Sequence, residues 1–390
     1  MKKIHVITQY FYPVIAGIEL NIFETYRRLA EDGWDVTIHT FKDTYLKKDH
    51  LPEFEQMNGL KIHRYASHWY GFIPKLNWNE SMVLALHNFD IFPHMLLLLK
   101  SLYLKATGQK KFVVVVTPHG GYNPEWSIYT KIQEIIKKSY TYTVGTFLIN
   151  SVADAVRAVS EWEKVEMIKK GLNPQKVSVI ANGLEDEAFS NSDDKVTKKT
   201  QDLVKSWGKY LFEDARIYSI KNQETVIKAL PLIPAGIKFV NIGMTGDQKY
   251  QDSLISLAKR LNVSDRVIFP GVIKGEDKYY INRHALAFVH MAKWESFCNV
   301  VHQAISQGLV CIVANNTALP YLVKDKINGF LVDTFDHIKL AEKINYVLDS
   351  KNEKEIRLIK SYNFKHGRSN SWANVAKKMN DLYLKLYHGA

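Results

Sequence analysis

Short apolar runs alternate with stretches of helical periodicity along the first half of the chain. A run at residues 3–8 is followed by a loop at 9–17, and residues 18–32 then place apolar side chains at helical spacing until Gly33. Further apolar runs predict strands at 36–40, 61–65, 112–117, 155–158 and 177–180. Strands that alternate with helices in this way predict a doubly wound parallel sheet.

The same alternation begins again after a polar stretch at 190–200, which has the composition of a linker. Beyond it we predict strands at 210–218, 238–243, 267–269, 286–290 and 310–314, with helices at 250–261 and 300–307. Residues 372–387 carry an apolar stripe at helical spacing. We therefore expect a first domain at 1–189, a linker at 190–209, a second domain at 210–365, and a closing helix within 366–390 that packs back on the first domain.

Composition narrows the class of protein. The chain has 390 residues, of which 46% are hydrophobic and 24% charged, as expected for a globular protein with two domains. Its two cysteines, Cys298 and Cys311, have neither metal-ligand spacing nor the pattern of a disulfide framework, so we expect a reducing, cytoplasmic location. We also expect no signal peptide and no membrane span, because no charged leader precedes the first strand and no apolar run approaches about 20 residues.

The formal net charge of +12 favours anionic partners, such as nucleotide phosphates or lipid headgroups. Lysine-rich solvated faces would explain the same charge equally well. We find no zinc-finger spacing and no aromatic motif of the kind that binds RNA, so no nucleic acid partner is expected. The first strand is not followed by G-x-G-x-x-G, which argues against a dinucleotide-binding dehydrogenase.

Candidate chemistry is densest at residues 294–308, which follow a predicted strand and lead into a predicted helix. The start of a helix offers free backbone N–H groups and the positive end of the helix dipole, which suit a phosphate. Glu295 is predicted at this start, where its carboxylate could accept hydrogen bonds from a polyol. Gln303 is predicted two turns further along the same face. Alternatively, Glu295 is only an acid that the dipole stabilises, and Gln303 is an ordinary helix residue.

A second segment places two cations near the end of a predicted strand. Arg216 lies at that end and Lys221 follows five residues later in the loop. Such a pair can bind a diphosphate, with the planar fork of arginine and the point charge of lysine. Two solvated surface charges are the alternative.

Several short motifs together resemble the retaining glycosyltransferases of family 4. The family's E-x7-E pattern has its counterpart in ESFCNVVHQA at 295–304, and its G-R-x4-K pattern in ARIYSIK at 215–221. Further resembling blocks follow the family's order along the whole chain: FYP and AGIE at 11–19, TPHG at 117–120, AD at 153–154, VS at 159–160, IANG at 180–183, RVIFPG at 266–271 and NGFLV at 328–332.

The resemblance implies the GT-B fold, in which two Rossmann-like, doubly wound parallel-sheet domains face a central cleft. The first domain would bind the acceptor and the second the nucleotide sugar. The implied activity is the transfer of a hexose, with retention of configuration, to a glycan or lipid-linked acceptor. UDP-hexose is the expected donor and GDP-mannose the second choice. The donor is a co-substrate, and neither a bound cofactor nor a metal ion is expected.

The resemblance also implies roles for individual residues. Arg216 and Lys221 would neutralise the donor diphosphate. Glu295 would contact the transferred sugar and Gln303 the ribose, while His119 would lie across the cleft near the sugar and the acceptor. The same comparison implies that backbone groups near Phe297, Cys298 and Asn299 meet the diphosphate, and that Gly17 lets the first loop approach a phosphate or the acceptor. A structural role is the alternative for His119, although the adjacent glycines 120 and 121 favour close backbone approach.

The sequence departs from the family pattern at several positions. Gln303 replaces the second glutamate, and a carboxamide offers one acceptor oxygen where a carboxylate offers two. Ribose binding is therefore expected to weaken, and Gln303→Glu is expected to be tolerated. Ala16, Ala215 and Cys298 stand where the family has glycine, and each Cβ restricts the backbone. These departures keep open the alternative of a non-catalytic nucleotide- or glycan-binding homologue. A GT-B nucleotide-sugar epimerase is a further alternative, because it would have the same fold.

The acceptor side is less defined by sequence. Residues 63–78 are dense in aromatic residues and histidine, and residues 91–111 combine apolar side chains with four lysines. Aromatic and basic residues together suit carbohydrate stacking or peripheral contact with the cytoplasmic face of a membrane through the first domain. A buried helix with a basic end would have the same composition, so both interpretations stay open.

Overall fold

The chain folds into two compact α/β units in a computed structural model that describes residues 2–14, 16–44, 48, 50–190 and 193–388. The first unit comprises Met1–Gly183 and Trp372–Ala390, and the second comprises Leu184–Ser371. Each unit has its own sheet and its own buried apolar core. The two parallel-sheet α/β units that the sequence predicts are thereby confirmed.

The first unit is built on an eight-stranded sheet in the order β3-β4-β2-β1-β5-β6-β7-β8. All neighbours are parallel except β3 and β4, which form an antiparallel edge. The strands are β1 (Lys3–Ile7), β2 (Asp35–Phe41), β3 (Phe54–Met57), β4 (Leu60–Tyr65), β5 (Val83–His87), β6 (Val113–Thr117), β7 (Ala155–Ala158) and β8 (Val177–Val179).

The second unit has a six-stranded sheet in the order β11-β10-β9-β12-β13-β14, and all its pairs are parallel. Its strands are β9 (Lys209–Asp214), β10 (Ile237–Ile242), β11 (Val267–Gly271), β12 (Ala287–His290), β13 (Cys311–Ala314) and β14 (Gly329–Val332). The strand order reverses between β9 and β12. In open parallel sheets, ligands bind beyond the carboxyl ends of the strands at such a switch point.

Helices connect these strands. They are α1 (Gly17–Glu31), α2 (His94–Ala106), α3 (Lys131–Tyr140), α4 (Thr146–Val152), α5 (Glu161–Lys169), α6 (Lys198–Trp207), α7 (Gln223–Ala229), α8 (Gln248–Arg260), α9 (Gly275–His284), α10 (Asn299–Ser306), α11 (Leu319–Leu322), α12 (His337–Leu348), α13 (Glu353–His366) and α14 (Trp372–His388). A helix therefore occupies much of the range 190–209, where the sequence predicts a linker, and residues 191–192 of that range lie outside the described residues.

The final helix, α14, belongs to the first unit and packs against α1. Its buried face includes Trp372, Val375 and Met379, which join the core on the α1 side of the first sheet. The α2 and α4 side of the same sheet has a second core. Both faces of this sheet are thus covered, as an almost wholly parallel sheet requires.

Three strands are missing from the sequence prediction. The edge strand β3 alternates exposed and half-buried residues, and β14 is only four residues long. The third, β5, is buried throughout and lies between β1 and β6. Because a short, wholly buried strand has no alternating pattern, periodicity alone does not reveal it.

Candidate active site

Two loops of the second unit bring a lysine and a glutamate together at the switch point. The chain after β9 continues into a 3-10 turn, Ser219–Lys221, while the chain after β12 carries Glu295. The ammonium of Lys221 lies 2.6 Å from Oε1 of Glu295. The backbone N–H of Glu295 also donates to the hydroxyl of Thr317 at 3.0 Å. The sequence predictions for Lys221 and Glu295 thus converge on one ion pair.

A buried histidine extends this ion pair into the sheet. Nε2 of His290, the last residue of β12, lies 2.9 Å from Oε1 of Glu295. Its other ring nitrogen, Nδ1, lies 2.8 Å from Oε1 of Glu213 on the neighbouring strand β9. The side chains of Glu213 and His290 are completely buried. The cluster therefore runs from the interior of the sheet to the lysine at its edge.

The charges in this cluster support one another. Burial alone would raise the pKa of Glu295, but Lys221 and His290 outweigh it and lower the pKa to about 2. Burial likewise disfavours the charged form of Lys221, yet Glu295 raises its pKa above the ordinary value. At neutral pH, Lys221 is a cation and Glu295 a carboxylate.

Ligand atoms of His290, Glu295 and Cys298 lie within 4.8 Å of one another, a spacing that a metal ion could use. The ammonium of Lys221 already contacts the same carboxylate and supplies a positive charge there. Burial raises the pKa of the Cys298 thiol, so a metal ion bound here would first have to displace its proton. This donor set fits an ion-paired cluster better than a metal centre.

Glu295 does not lie at the start of the helix that follows it, although the helix itself lies within one residue of the predicted range 300–307. α10 starts at Asn299, so Glu295 lies in the loop before it and does not share a helical face with Gln303. Phe297 is buried, and Cys298 precedes the helix with φ +78°, a left-handed conformation. That conformation is the one in which glycine is favoured, and it breaks the helical spacing on which the prediction depended.

Arg216 lies just beyond β9 and is exposed. Its guanidinium has no hydrogen-bond or salt-bridge partner among the residues that the structure describes, whereas Lys221 is paired with Glu295. The expected pair of cations is therefore one solvent-facing arginine and one ion-paired lysine. Their positive charges are close enough for Arg216 to lower the pKa of Lys221 slightly against the larger effects of burial and Glu295.

Gln303 is held by a carboxylate that the sequence prediction missed. Its amide Nε2 lies 2.8 and 2.9 Å from the two carboxylate oxygens of Glu185. The hydroxyl of Tyr279 donates to the same carboxylate at 2.8 Å, and Lys278 lies 3.5 Å away. Burial would raise the pKa of Glu185, but Lys278, Tyr279 and Gln303 outweigh it and lower the pKa. The amide group of Gln303 is thereby oriented with its NH2 toward Glu185.

In the first unit, His119 lies just after β6 and joins a chain of hydrogen bonds. Its Nε2 lies 2.8 Å from Nδ1 of His87, and Nε2 of His87 lies 2.8 Å from the hydroxyl of Tyr26. The hydroxyl of Tyr383 on α14 lies 2.6 Å from that of Tyr26. Burial lowers the pKa values of His119 and His87 well below the usual value, so both rings are neutral.

The backbone at His119 is unusual, since its φ of +52° is left-handed. The next residue, Gly120, donates its N–H to the buried carboxylate of Glu163, which also accepts from the N–H of Val159 at 2.7 Å. These contacts hold the TPHG loop in place. Gly17 is exposed at the first position of α1, and its expected contact with a ligand stays a prediction.

The sequence prediction missed five polar residues that support the predicted ones. They are His87, Glu163, Glu185, Glu213 and His290. Three of them left a signal, because His87, Glu213 and His290 each follow an apolar run within a buried strand. A polar or charged side chain buried within a strand usually has a partner. Searching the apolar runs of the sequence for such polar positions would therefore have found these residues.

The fold and this cluster define a class, namely a two-unit α/β protein with an ion-paired polar site at the switch point of its second sheet. The sequence matches the family described as Glycosyltransferase Family 4 over residues 15–188 and that described as Glycosyl transferases group 1 over residues 197–363. The chain therefore belongs to the family 4 glycosyltransferases, and its fold is GT-B.

Two of the similar proteins match almost the whole chain at low identity, and a third matches about half of it. An uncharacterised glycosyltransferase, MJ1069, of Methanocaldococcus jannaschii is 23% identical over 417 residues, covering 99% of this chain and all of the relative. The UDP-Gal:alpha-D-GlcNAc-diphosphoundecaprenol alpha-1,3-galactosyltransferase of Escherichia coli is 29% identical over 55% of this chain and 56% of its own length. HepE of Anabaena, solved with UDP and glucose, has a TM-score of 0.75 at 18% identity over 99% of this chain and all of its own.

Within the described ranges, no helix combines the length and the apolar character that crossing a membrane requires.

Proposed function

We propose that this glycosyltransferase transfers a hexose from a UDP-sugar to a glycan or lipid-linked acceptor, with retention of configuration and without a metal ion. GDP-mannose is the second donor to consider. The observation that carries the proposal is the Lys221–Glu295 ion pair at the switch point of the second sheet, with the solvent-facing Arg216 on the same loop as the lysine. Two cations suit the diphosphate of a nucleotide sugar, and a carboxylate that can accept hydrogen bonds suits the hydroxyl groups of its sugar.

In this proposal, Arg216 and Lys221 offset the negative charge that grows on the departing diphosphate. Glu295 accepts a hydrogen bond from a hydroxyl of the transferred sugar. The bond from the anomeric carbon to the phosphate oxygen breaks as the bond to the acceptor oxygen forms on the same face. The departing phosphate oxygen takes the acceptor's proton. In the first unit, the neutral ring of His119 offers a hydrogen bond to a hydroxyl of the acceptor.

Known proteins support the choice of donor. The E. coli relative is named for a UDP-galactose donor and a lipid-diphosphate acceptor, and HepE was solved with UDP and glucose. These facts concern those proteins, and they make UDP, UDP-glucose and UDP-galactose the first ligands to test on this chain.

Ligand-induced stabilisation tests the donor site, because a ligand that binds only the folded state raises the melting temperature. UDP, GDP, ADP and their common sugars are compared on the full-length protein. We expect a rise with UDP or a UDP-sugar that Arg216→Ala reduces, since this variant removes a cation from the loop. Arg357→Ala, at an exposed arginine of α13, serves as the charge-matched control and should keep the wild-type shift.

Product analysis tests the reaction. NMR of the product formed from the stabilising donor should show the donor's anomeric configuration, and EDTA should leave the rate unchanged. Inversion or a loss of rate with EDTA would contradict the proposed mechanism. Binding without transfer or hydrolysis would favour the non-catalytic homologue, and conversion of the donor to its epimer would favour the epimerase.

We further propose that the first unit contacts the surface of an anionic membrane. Three adjoining elements expose apolar side chains: Ile132, Ile135 and Ile136 on α3, Val144 and Phe147 on the following segment, and Leu96, Leu99 and Tyr103 on α2. α3 carries Lys131, Lys137 and Lys138 against a single acid, Glu134. Exposed apolar residues beside lysines suit a helix that lies in a membrane interface. A bilayer with anionic lipids has the opposite charge to these lysines and would attract them.

The contact proposed here is centred on α3, whereas the sequence points to residues 63–78 and 91–111. Half of α2 is buried, through residues such as Leu97 and Leu98, so the buried-helix interpretation applies to that face.

Flotation with vesicles containing phosphatidylglycerol tests the membrane contact. The wild type should float with the vesicles, and the double variant Ile135→Ser and Ile136→Ser should float less. Leu358→Ser, at an exposed leucine of the second unit, is the control. Wild-type protein that stays in solution would overturn the proposal.

A further inference from the structure

The cluster behind Glu295 leaves that carboxylate with one occupied and one open oxygen. Both His290 Nε2 and Lys221 Nζ approach the same atom, Oε1. The other oxygen, Oε2, has no hydrogen-bond partner among the residues described. An ionised carboxylate can accept on both oxygens. Oε2 is thus the atom at which Glu295 can receive a ligand hydroxyl.

The geometry around His290 also demands an extra proton. Both ring nitrogens lie within 3.0 Å of carboxylate oxygens, yet a neutral imidazole has only one N–H to donate. One further proton must therefore lie between Nδ1 and Glu213, on either atom. Oε2 of Glu213 is buried without a partner, so Glu213 depends on this one hydrogen bond.

We propose that the Glu213–His290 pair is a proton-holding device that positions Glu295 for the donor sugar. The shared proton occupies Nδ1 of His290, so that Nε2–H points at Oε1 of Glu295. Together with Lys221, this bond fixes the carboxylate and leaves Oε2 for a hydroxyl of the transferred hexose. His290 and Glu213 are positioning residues, since they act through Glu295. This inference rests on the proposed function for the identity of the ligand.

The charged surroundings determine how the device responds to pH. Burial raises the pKa of Glu213. Burial also acts to lower the pKa of His290, but the hydrogen bonds of its ring with Cys298, Glu213 and Glu295 outweigh this effect and raise the pKa well above its usual value. The groups that face the ring are Glu213 and Asp214 on β9, Lys221 in the turn after β9, Glu295 in the loop after β12, and Cys298 before α10. The pair keeps its proton at neutral pH and loses it as pH rises through the raised pKa.

The proton can be observed without any ligand. NMR of the full-length protein labelled with 15N-histidine should show two hydrogen-bonded protons at the His290 ring at pH 7, assigned by their loss in His290→Gln. In Glu213→Gln the second proton should be lost at a lower pH, because the neutral carboxamide no longer stabilises the charged ring. A wild-type ring with a single N–H at pH 7 would overturn the proposal.

The sugar contact is tested by comparing the dissociation constants of UDP and UDP-glucose. His290→Leu should leave the Kd of UDP within about twofold and weaken UDP-glucose by roughly tenfold, as the loss of one charge-assisted hydrogen bond predicts. Glu213→Gln should match the wild type at pH 6 and approach His290→Leu at a lower pH than the wild type does. His302→Leu, at another buried histidine of the second unit, is the control and should keep the wild-type ratio.

The outcomes separate the two proposals. Equal weakening of UDP and UDP-glucose by His290→Leu, or the same weakening by His302→Leu, would indicate a structural role and overturn the positioning device. A Zn2+-dependent rise in stability that Cys298→Ser removes would overturn it in favour of a metal site. If the wild type binds no nucleotide or nucleotide sugar, the proposed function fails and the sugar contact with it, whereas the NMR result still decides the protonation of the pair.

Discussion

At the scale of single residues, Gln303 shows how a neighbour changes the meaning of a substitution. The sequence alone suggests that Gln303→Glu restores a family feature. In the structure, Nε2 of Gln303 faces both oxygens of the half-buried Glu185, so a glutamate at 303 would place a buried carboxylate against a second carboxylate. Like charges at this distance cannot both stay ionised. The contact with Glu185 therefore reverses the expectation of tolerance.

We predict that Gln303→Glu lowers the free energy of unfolding by roughly 1–3 kcal/mol, the usual cost of a buried polar group without a partner. The loss should grow as pH rises, because the added carboxyl must stay protonated. Urea denaturation at pH 5 and pH 8 measures this. The double variant Glu185→Gln and Gln303→Glu again places one carboxylate against one carboxamide. It should therefore recover most of the lost stability. A single variant as stable as the wild type would show that the contact is unimportant.

Glu295 gives a second prediction at this scale. Its pKa of about 2 lies below the ordinary 4.5, so its ionised form stabilises the fold above about pH 4.5 and this contribution is lost as pH falls toward 2. Glu295→Gln should cost roughly 2–3 kcal/mol at pH 7, somewhat less than a fully buried pair because the Lys221 side chain is 19% exposed. The difference from the wild type should shrink by pH 3. Chemical denaturation at both values measures it, and a pH-independent difference would contradict the assignment.

At the scale of elements, the sequence predicts the repeated apolar strands well because burial on both faces leaves continuous apolar runs. It wrongly places Glu295 at the start of α10, because Cys298 adopts a left-handed conformation between Glu295 and the helix. It also misses β5, a wholly buried strand of five residues that has no alternating pattern. Local patterns define where strands can form, and tertiary contacts decide where elements begin.

The residues that directly follow β9 and β10 lie against each other, and this close approach gives a prediction at the scale of elements. Gly243 follows β10 with φ +147°, and a Cβ there would lie 2.2 Å from the carbonyl oxygen of Ala215. Because both atoms belong to rigid strand ends, Gly243→Ala should destabilise the second unit by at least about 2 kcal/mol. Gly236→Ala is the matched control, since a Cβ there meets nothing within 4 Å. Thermal unfolding compares the two, and similar melting temperatures would contradict the close approach.

At the scale of the whole molecule, the chain is two units with separate cores, and the first is completed by a segment from the far end of the chain. α14 buries Trp372, Val375 and Met379 against the same core as β1 and β2. The sequence predicts both the helix and its return to the first domain. The sequence could not predict which residues α14 contacts, for example that Tyr383 on α14 forms a hydrogen bond with Tyr26.

We predict that Met379→Ala destabilises the first unit by about 2–5 kcal/mol, as expected for a large-to-small substitution in a core. Hydrogen exchange should accelerate in β1 and β2, while β9 and β12 of the second unit keep their protection. Met244→Ala, at a methionine that is 44% exposed, should change little. Uniform acceleration in both units would indicate that the cores unfold as one.

The sequence by itself determined the α/β class, the two-domain organisation and the family, and it singled out Lys221, Glu295 and His119 as candidate site residues, because apolar periodicity and short motifs are local in the chain. Only the tertiary structure decided which polar groups face them. His290 contacts Glu213 across two strands that lie 77 residues apart, and Gln303 contacts Glu185 from 118 residues away. Such pairs leave no local pattern, since the sheet order that joins them is set by packing over the whole unit.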